Sequence, residues 1–506
     1  MIPALLLGAA LAAAPQGKLV VLVVVDQLRY ADLLWLAPEF GHKGFAGLGR
    51  PAPMRYETAV AETAPGHAVL STGAYADVNG IVGNTFWQGN RYQEAVEDPA
   101  CPVWGTTVGR SAAALRAPTV GDMLKLNTGG AGRVVSIAVK DRSALFLAGT
   151  SADLALWWDH DLGEMSSTTC YAPGPPDWLP RRPAESLKDW VWNMSRPEAI
   201  GRLLPQAKTA GATPTYGLGP EFPHPVGQGK VDQRLYRAIR VSPAGSTIAL
   251  RTARAAVSAL KLGESSKTDL LEVALASVDT VGHQYGSLSR ERVDALLRVH
   301  DELSTFLDEL RARLGKRLSI VLTSDHGLTP TEADERRLRA KGGTVAVEDL
   351  IQRLDLALDD ALGKRQDNWV AGIEGNSLSL RPPFPPKAVE AAVELLRREP
   401  GLFRVIPEAE VETAEPFIRH AWFPGRSGQV LLVVRPLWTL KPSGTAADHG
   451  SFWNDDSLVP LMVESSSFRL RGDAQFRATQ VAPAIAAMLD TAPPSAAFDS
   501  PAVEPR

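Results

Sequence analysis

Histidine and cysteine are scarce in this sequence, whose 506 residues include nine histidines and two cysteines. Basic residues do not outnumber acidic ones: the formal net charge is −4 and the pI is about 6.2. Without an excess of positive charge, nucleic acid is not expected as a partner. Beyond residues 1–14, no stretch of membrane-spanning length lacks charged residues, so no membrane span is predicted once a signal peptide is removed.

A basic region is also missing from the N-terminus, where no Lys or Arg precedes Lys18. Residues 1–14 are nevertheless apolar, rich in small residues and too short to span a bilayer comfortably. We predict that they are a secretory signal peptide and that the protein is periplasmic or secreted. Cys101 and Cys170 suit an exported protein with one disulfide, but two free buried thiols fit the sequence nearly as well.

Apolar segments rich in β-branched residues predict strands that are buried on both faces. They are residues 18–25, 133–139, 154–158, 270–278 and 318–323. Between the last two, apolar residues at helical spacing run from Val293 to Leu314, and Gly315 ends the pattern. This strand–helix–strand unit predicts an α/β fold with a mostly parallel central sheet flanked by helices.

Changes in composition predict the domain organisation. The core would cover residues 15–332, with an irregular insertion rich in Pro, Gly and Trp over 165–245. Residues 333–441 would form a smaller inserted lid domain, and 442–506 would return to the core and end in a frayed tail over 499–506. Within the lid, helices are predicted over 345–362 and 386–397, and strands over 377–380 and 429–434.

The stretch Thr63-Ala64-Pro65-Gly66-His67 predicts a loop that turns into a helix, which Gly73 would end. Pro65 has no N–H to lose and its φ is preset for a first helical turn. A hydroxyl at a helix N-terminus lies where phosphate is attracted and an alkoxide is favoured. The plainer alternative is that Thr63 only caps the helix.

Charged and metal-ligating residues recur at the carboxyl ends of the predicted strands, where ligands bind in such sheets. Imidazole and carboxylate groups together suit zinc or a similar divalent ion. Each motif alone could be a solvated turn, but their number at one edge favours a site for two ions about 4 Å apart. The candidate ligands are Asp26, Asp279, His283, Asp325, His326 and His449, with Thr63 completing one set by bridging.

Other polar residues near these strand ends could bind a phosphoryl group. Alternation would place Lys140 and Arg142 on one side of the chain, where two cations match phosphoryl oxygens, although a solvated strand end is an open alternative. Asn84 could donate its amide to the same oxygens or simply occupy a turn. His67 is predicted to support the turn through hydrogen bonds rather than to bind a metal.

Together these motifs resemble the alkaline phosphatase superfamily, and more narrowly its threonine-nucleophile bacterial (PafA-like) alkaline phosphatases, with nucleotide pyrophosphatase/phosphodiesterases as relatives. The resemblance spans about Asp26 to Ser451. It implies a hydrolase with two Zn²⁺ per subunit, or other divalent ions, and a covalent phosphothreonine on Thr63. It also implies roles for the matching residues: Asp26, Thr63, Asp325 and His326 would hold one ion, Asp279, His283 and His449 the other, and Asn84, Lys140 and Arg142 the phosphoryl oxygens.

An exported phosphomonoesterase is the first functional hypothesis, because the Lys140 and Arg142 cations match the extra charge of a dianionic phosphoryl group. The alternative is a phosphodiesterase or nucleotide pyrophosphatase on the same bimetal core. An arylsulfatase is disfavoured, since Cys101-Pro102-Val103-Trp104 lacks the Cys-x-Pro-x-Arg pattern, and a silent binding protein would not need the complete ligand set. The expected partners are small phosphate esters; the sequence leaves the oligomeric state open and is compatible with a monomer.

Overall fold

The computed structural model of the chain describes residues 17–88, 91–205, 211–330 and 341–506. The predicted signal peptide over residues 1–14 lies outside these ranges. None of the helices in the described part combines the length and the apolar character needed to cross a membrane.

Strands occur along the whole of the described chain. In chain order they are β1 Leu19–Val25, β2 Ala52–Arg55, β3 Thr85–Gln88, β4 Arg91–Glu94, β5 Glu97–Pro102, β6 Gly109–Arg110, β7 Val134–Ala138, β8 Leu154–Asp159, β9 Glu164–Ser166, β10 Val191–Trp192, β11 His224–Pro225, β12 Asp269–Leu275, β13 Leu318–Thr323, β14 Gly343–Ala346, β15 Val370–Glu374, β16 Ser377–Leu380, β17 Leu402–Pro407, β18 Val430–Val434, β19 Trp438–Lys441, β20 Leu458–Ser465, β21 Phe468–Leu470, β22 Phe476–Arg477 and β23 Val503–Pro505.

Helices connect most of these strands. The α-helices are α1 Tyr30–Leu36, α2 Thr63–Thr72, α3 Ala76–Asn79, α4 Val120–Asn127, α5 Asp141–Ala148, α6 Pro197–Leu203, α7 Gln233–Arg240, α8 Ala244–Leu260, α9 Ser277–Tyr285, α10 Arg290–Leu314, α11 Val347–Leu362, α12 Pro386–Leu396, α13 Pro416–Arg419, α14 Asn454–Ser457 and α15 Val481–Leu489. Short 3-10 helices lie at Ala37–Glu39, Ala46–Leu48, Pro183–Leu187, Gly315–Arg317, Glu408–Thr413 and Ala478–Gln480.

The central sheet has nine strands in the order β22-β2-β20-β13-β1-β12-β7-β8-β9. The strands β13, β1, β12, β7 and β8 in its middle are mutually parallel. Antiparallel pairing enters only towards the edges of this sheet, between β13 and β20, β20 and β2, and β8 and β9. The predicted α/β class with a mostly parallel sheet is confirmed, and its five predicted strands are the five parallel ones.

Both faces of this sheet are covered by helices. In β1, Leu19, Val21, Val23 and Val25 belong to one hydrophobic cluster, which includes residues of α8 and α10. The alternate residues Val20, Leu22 and Val24 belong to a second cluster on the other face, with residues of α2, α5 and α15. Burial on both faces explains why β1 has no polar alternation in its sequence. The carboxyl ends of the parallel strands therefore open at one edge of a rigid, two-sided core.

A separate hydrophobic cluster lies in the region predicted as the lid. The sheet β15-β16-β18-β17 packs there with α11 and α12, and the buried residues of these elements contact one another. The predicted strand over 377–380 matches β16, and both predicted helices occur within one or two residues of their expected bounds. The domain boundaries at 333 and 441 stay a prediction, and residues 331–340 lie outside the described part.

Two sequence expectations about element ends are wrong. The fourth strand was expected to reach residue 278, but β12 ends at Leu275 and α9 begins at Ser277. An apolar run that passes from a buried strand into a buried helix has no periodicity that marks the change. The tail over 499–506 is not frayed, because β23 pairs antiparallel with β21 and Val503 is buried.

Of the alternatives for the cysteines, the structure has the bonded one: Cys101 and Cys170 form a disulfide with their Cα atoms 5.3 Å apart. It joins β5 to the start of the segment predicted as an irregular insertion. That segment includes β10, β11, α6 and α7, all of them short.

Candidate active site

Thr63 is the first residue of α2, and every residue of this helix is buried. The N-cap position belongs to Glu62, so Thr63 does not serve as the cap residue. As predicted, Gly73 ends the helix, with a left-handed φ of 71°. Gly66 lets the helix approach the loop after β13, since a Cβ there would lie 2.4 Å from the carbonyl oxygen of Asp325. The helix therefore presents the Thr63 hydroxyl directly to the ends of the central strands.

The expected ligands lie in adjoining groups at this edge. Within each group, one ligand atom per residue lies within 4.8 Å of the others. We call the fully buried group of Asp26, His67 and Asp325 the inner cluster. The partly exposed group of His283, Asp448 and His449 is called the rim cluster. A third group, formed by Asp279, His326 and His449, joins the two.

The four histidines of these groups share one arrangement. Each Nδ1 atom lies within hydrogen-bond distance of a backbone carbonyl oxygen, and a carbonyl can only accept, so Nδ1 carries a proton and Nε2 is the nitrogen with the lone pair in the neutral imidazole. Metal-binding histidines are typically oriented in this way. The pairs are His67 with Thr63 at 2.8 Å, His283 with Ala447 at 3.0 Å, His326 with Gly327 at 2.9 Å, and His449 with Ala61 at 2.8 Å.

Several carboxylate oxygens in the inner cluster also lack a hydrogen-bond donor. Among the described residues, no hydrogen bond reaches Oδ1 of Asp26 or Oδ2 of Asp325, and Oδ2 of Asp26 has only an ion pair with Nζ of Lys140 at 3.1 Å. The buried Nε2 of His67 is likewise without a hydrogen-bond partner there. Buried polar atoms are rarely left in this state unless another ligand satisfies them. These carboxylate oxygens and imidazole nitrogens, in this orientation, therefore fit as ligands of divalent cations such as Zn²⁺.

Thr63 lies where these groups meet. Its Oγ1 is 3.4 Å from Nε2 of His326 and accepts a hydrogen bond from Nζ of Lys140 at 3.1 Å. The same ammonium lies 2.6 Å from Oδ2 of Asp279 and 3.1 Å from Oδ2 of Asp26. One hydroxyl thus contacts both a candidate ligand and a cation that bridges two others.

Opposing pKa shifts distinguish the two acids on either side of this hydroxyl. Burial and the neighbouring Asp26 raise the pKa of Asp325 well above its usual value. Burial also acts to raise the pKa of Asp279, but the charges of Lys140 and His283 outweigh it and hold this pKa well below 3.8. Burial and Asp26 therefore disfavour the charged form of Asp325, and a bound cation would relieve both effects.

The pKa values of the histidines also shift in opposite directions. Burial, helped by the neighbouring His449, lowers the pKa of His326 well below 6.5, which favours the neutral form that binds metals. Burial also lowers the pKa of His67. For His449 burial is opposed by Asp279 and Asp448, which raise its pKa to about 9.

Asn84 is fixed beside the nucleophile turn by two backbone contacts. Its side-chain oxygen accepts from the N–H of Ala64 at 3.0 Å, and its own N–H donates to Oε2 of Glu62 at 3.0 Å. Because the side-chain oxygen is used by Ala64, the amide NH₂ of Asn84 is the group left to donate to a ligand. This is the orientation that the sequence hypothesis requires.

Lys140 and Arg142 do not follow the predicted alternation, because Lys140 is still extended and α5 begins at Asp141. Lys140 is the N-cap residue of α5, and Arg142 lies in its first turn. Lys140 points to Thr63, whereas the buried Nε of Arg142 lacks a hydrogen-bond partner in the part of the chain that the structure describes. Asp279 is likewise in the first turn of α9 rather than at a strand end, which places it one helical turn from His283, with 3.3 Å between Oδ1 and Nε2.

Sequence reasoning missed residues that hold these loops together. The buried carboxylate of Asp456 accepts from Oγ1 of Thr329 at 2.8 Å and from the N–H of Ser451 at 2.8 Å, and so ties the loop after His326 to the loop of His449. Gln27 and Arg292 form a second buried connection. An Asp in a short helix and an Arg in an amphipathic helix look solvent-exposed in sequence, so no local signal identifies them.

One turn of the lid region contacts this edge. Gly375 and Asn376, between β15 and β16, both have positive φ values, 54° and 53°. Nδ2 of Asn376 donates to the carbonyl oxygens of Gly450 at 2.6 Å and Ala59 at 3.1 Å. The hairpin is therefore anchored to the loop of His449 and to the strand-to-helix connection before Thr63.

Known proteins share this chain's sequence and fold. It is 28% identical to alkaline phosphatase PhoV of Synechococcus elongatus, over 94% of this chain and 91% of that protein. It is 28% identical to alkaline phosphatase PafA of Elizabethkingia meningoseptica, over 97% of this chain and 95% of that protein. A crystal structure of alkaline phosphatase PafA has the same fold, with a TM-score of 0.87 and 24% identity over 97% of this chain and 99% of that chain.

A family model describes the same relationship. The model for type I phosphodiesterase / nucleotide pyrophosphatase matches residues 20–452, which is most of the chain. This range contains every candidate ligand from Asp26 to His449. The resemblance to the alkaline phosphatases and their phosphodiesterase relatives is thus confirmed, and the chain belongs to the type I phosphodiesterase / nucleotide pyrophosphatase family.

Proposed function

We propose that the chain is an exported phosphomonoesterase in which Thr63 attacks the phosphorus atom of a phosphate monoester. The observation that carries the proposal is the position of Thr63 Oγ1, 3.4 Å from Nε2 of His326 and 3.1 Å from Nζ of Lys140. The relatives PhoV and PafA, both alkaline phosphatases by name, support the same reaction.

Two zinc ions would be held by the residues that the sequence singled out. Asp26, Thr63, Asp325 and His326 would hold one, and Asp279, His283 and His449 the other. His67 is a further candidate for the first ion, since its Nε2 lies 3.7 Å from Oδ1 of Asp26. Bound there, two divalent ions would stabilise the attacking and leaving oxygens of an in-line displacement.

The chain's own groups prepare Thr63 for attack. Lys140 donates a hydrogen bond to Oγ1, and an ammonium in that position stabilises the alkoxide relative to the alcohol. The N-terminus of α2 adds partial positive charge at the same atom. Thr63 gives up its hydroxyl proton as the new P–O bond forms, the ester P–O bond breaks, and the leaving oxygen takes up a proton from solvent to depart as the alcohol. Water then hydrolyses the phosphothreonine, which releases phosphate and restores the Thr63 hydroxyl.

The phosphoryl oxygens would be bound by the free NH₂ of Asn84 and by the cations Lys140 and Arg142. Arg142 supports this role through its buried, unpartnered Nε within the described residues. A monoester carries one more negative charge than a diester, so two cations near its oxygens stabilise its transition state more strongly.

A second candidate is favoured by the family model, whose description names phosphodiesterases and pyrophosphatases. The two functions use the same nucleophile and the same cations. They differ in whether the phosphoryl group carries a second ester substituent, which makes substrate preference the decisive measurement.

The test compares hydrolysis of an aryl phosphate monoester with that of a bis-aryl phosphate diester by the zinc-loaded protein at alkaline pH. We expect the monoester to have the higher kcat/KM, and a chelator to abolish both activities. A higher kcat/KM for the diester would replace the proposal by the second candidate. Activity that survives complete zinc removal would refute the bimetal site.

Export is the remaining part of the proposal. The Cys101–Cys170 disulfide supports a periplasmic or secreted location, because disulfides persist in oxidising compartments. Fractionation of the native host is the direct test: activity in the periplasmic or extracellular fraction is expected, and activity confined to the cytosol would contradict it.

A further inference from the structure

Gln27, the residue that follows Asp26, has an unusual backbone conformation. Its φ is +67°, in the left-handed region that residues other than glycine seldom adopt, and its side chain is fully buried. Such a conformation persists only where the surroundings impose it, and it is concentrated at functional sites. The contacts of Gln27 therefore bear on the site beside it.

Gln27 contacts one carboxylate in each half of the candidate metal site. Its backbone N–H donates to Oδ1 of Asp325 at 3.2 Å, and its side-chain Nε2 donates to Oδ1 of Asp279 at 3.1 Å. Asp325 belongs to the inner cluster, whereas Oδ1 of Asp279 lies 3.3 Å from Nε2 of His283 in the rim cluster. A single residue thus orients ligands on both sides of Thr63.

The orientation of the Gln27 amide is set by Arg292, which is completely buried in α10. Arg292 donates from Nε to Oε1 of Gln27 at 3.3 Å and from Nη2 to its backbone oxygen at 2.8 Å. Because a guanidinium can only donate, Oε1 must face Arg292 and the NH₂ must face Asp279. Asp32, 2.8 Å from Nη2, pairs with Arg292 as well as with Arg29, so the guanidinium is held by a carboxylate outside the metal site.

Gly282 provides the space for this side chain. A Cβ at position 282 would lie 2.1 Å from Oε1 of Gln27, so any residue other than glycine at this position would displace the Gln27 amide. Alanine is otherwise favoured over glycine inside a helix. The chain thus has a helix-weakening residue at the point where Gln27 needs room.

We propose that Gln27, anchored by Arg292, is a positioning residue that orients Asp279 and Asp325 together for the two cations. The inference rests on the bimetal site of the proposed function. Outer partners of metal ligands typically contribute about 10- to 100-fold to metal affinity. Loss of the Gln27 amide should therefore weaken zinc binding by that amount while leaving every ligand in place.

The first test measures zinc affinity of the Gln27→Met variant by competition with a chromogenic chelator. Met keeps the approximate size of Gln but neither donates nor accepts strongly. Gln480→Met is the matched control, because this buried Gln pairs with the backbone of Arg477 and Ser500. We expect weaker zinc binding, by about 10- to 100-fold, only for Gln27→Met.

Thermal unfolding with and without zinc separates positioning from plain stability. For Gln27→Met, the rise in Tm on adding a fixed zinc concentration should be smaller than for wild type. A Tm lowered equally in both states, with zinc affinity within twofold of wild type, would overturn the proposal.

Gly282→Ala is the second variant, because it displaces the amide without altering it. It should weaken zinc binding as Gln27→Met does, and in a Gln27→Ala background it should cause no further loss. Independent, additive losses would contradict the proposal. None of these measurements requires enzyme activity. If the wild-type protein binds two zinc ions but does not hydrolyse monoesters, the proposed function is wrong and the role of Gln27 is unaffected. If Gln27→Met is active and its zinc affinity is unchanged, only the role of Gln27 is wrong.

Discussion

The inner and rim clusters lie side by side but are built differently. The inner cluster joins the residue after β1 and the loop after β13 to a helix whose residues are all buried. The side chains of His283 and Asp448 in the rim cluster are 28% and 18% exposed, and the lid turn at Asn376 contacts the loop that contributes His449. The difference indicates that one cation would be enclosed by the core and the other would exchange with solvent through the site mouth.

The largest effect is expected at the atom between the clusters. Thr63→Ala should lower kcat for an aryl monoester by about 10³-fold or more, because the covalent step loses its nucleophile. Both clusters keep their carboxylates and imidazoles, so zinc content should stay near the wild-type value by elemental analysis. Thr63→Ser is the control and should retain the phosphoenzyme. Wild-type turnover by Thr63→Ala would remove Thr63 from the mechanism.

The comparison itself is tested by one substitution in each cluster. Asp325→Asn should lose zinc that added metal does not restore, since its ligand sits in the enclosed cluster. His283→Asn should also lose zinc, but a modest excess of added zinc should restore both the zinc content and the activity. Chelator-induced zinc release from wild type should accordingly show two phases, the faster of which His283→Asn removes. A single phase in wild type, or the opposite pattern of restoration, would show that the clusters do not differ.

Lys140 contacts both Asp26 and Asp279, and its removal should change substrate preference rather than zinc content. Lys140→Ala should lower kcat/KM for the monoester by about 10²- to 10³-fold and for the diester much less, because a cation matters most for a dianionic phosphoryl group. Arg142→Ala should change the two rates in the same direction. Lys125→Ala, which removes an ion pair with Asp153 away from the site, is the control. Equal losses on both substrates would contradict the assigned role.

The last effect concerns stability rather than activity, at the buried acid Glu272, which has no ion pair among the described residues. Burial, together with Asp122, raises the pKa of Glu272 from 4.5 to about 8, and neither of its carboxylate oxygens has a hydrogen-bond partner among the described residues. A carboxyl whose pKa is raised by folding favours the fold fully below pH 4.5, and this contribution is lost as pH rises through 8. The loss is on the order of a few kcal/mol.

Glu272→Gln should therefore flatten the decline in the free energy of unfolding between pH 5 and 9, measured by denaturant titration in the metal-free protein. At pH 5 the variant should be no more stable than wild type, and at pH 9 it should be more stable. A parallel decline in both proteins would show that Glu272 ionises freely in the fold, and the contrast with Asp279 would then be lost.

Much of this arrangement could be predicted from sequence because the signals for it lie within short stretches of the chain. The β-branched runs of the five parallel strands and the Pro65–Gly73 helix signals each carry their structure in a few neighbouring residues. The convergence of Asp26, Asp325 and His326 followed from one topological rule, that parallel strands end at the same edge. Asp279 was predicted at the end of a strand but lies in the first turn of α9, and it still reaches the site from that helix.

The remainder depended on contacts between distant positions. Arg292 looks like one more charge on an amphipathic helix, and only the approach of Gln27 and Asp32 makes it a buried anchor. The direction of Lys140 depended on where α5 begins, which the alternation argument placed wrongly. The pairing of β23 with β21 joins segments whose sequences carry no strong strand pattern. Neither the secondary-structure propensity of a segment nor the spacing of its residues identifies a contact with a distant part of the chain.

Convergence of two cations on Thr63 can be seen by anomalous diffraction at the zinc edge from crystals of the zinc-loaded protein. Two anomalous peaks about 4 Å apart are expected on either side of Thr63 Oγ1. Asp26, Asp325 and His326 should surround one peak, and Asp279, His283 and His449 the other. A single peak, or peaks remote from Thr63, would contradict this convergence.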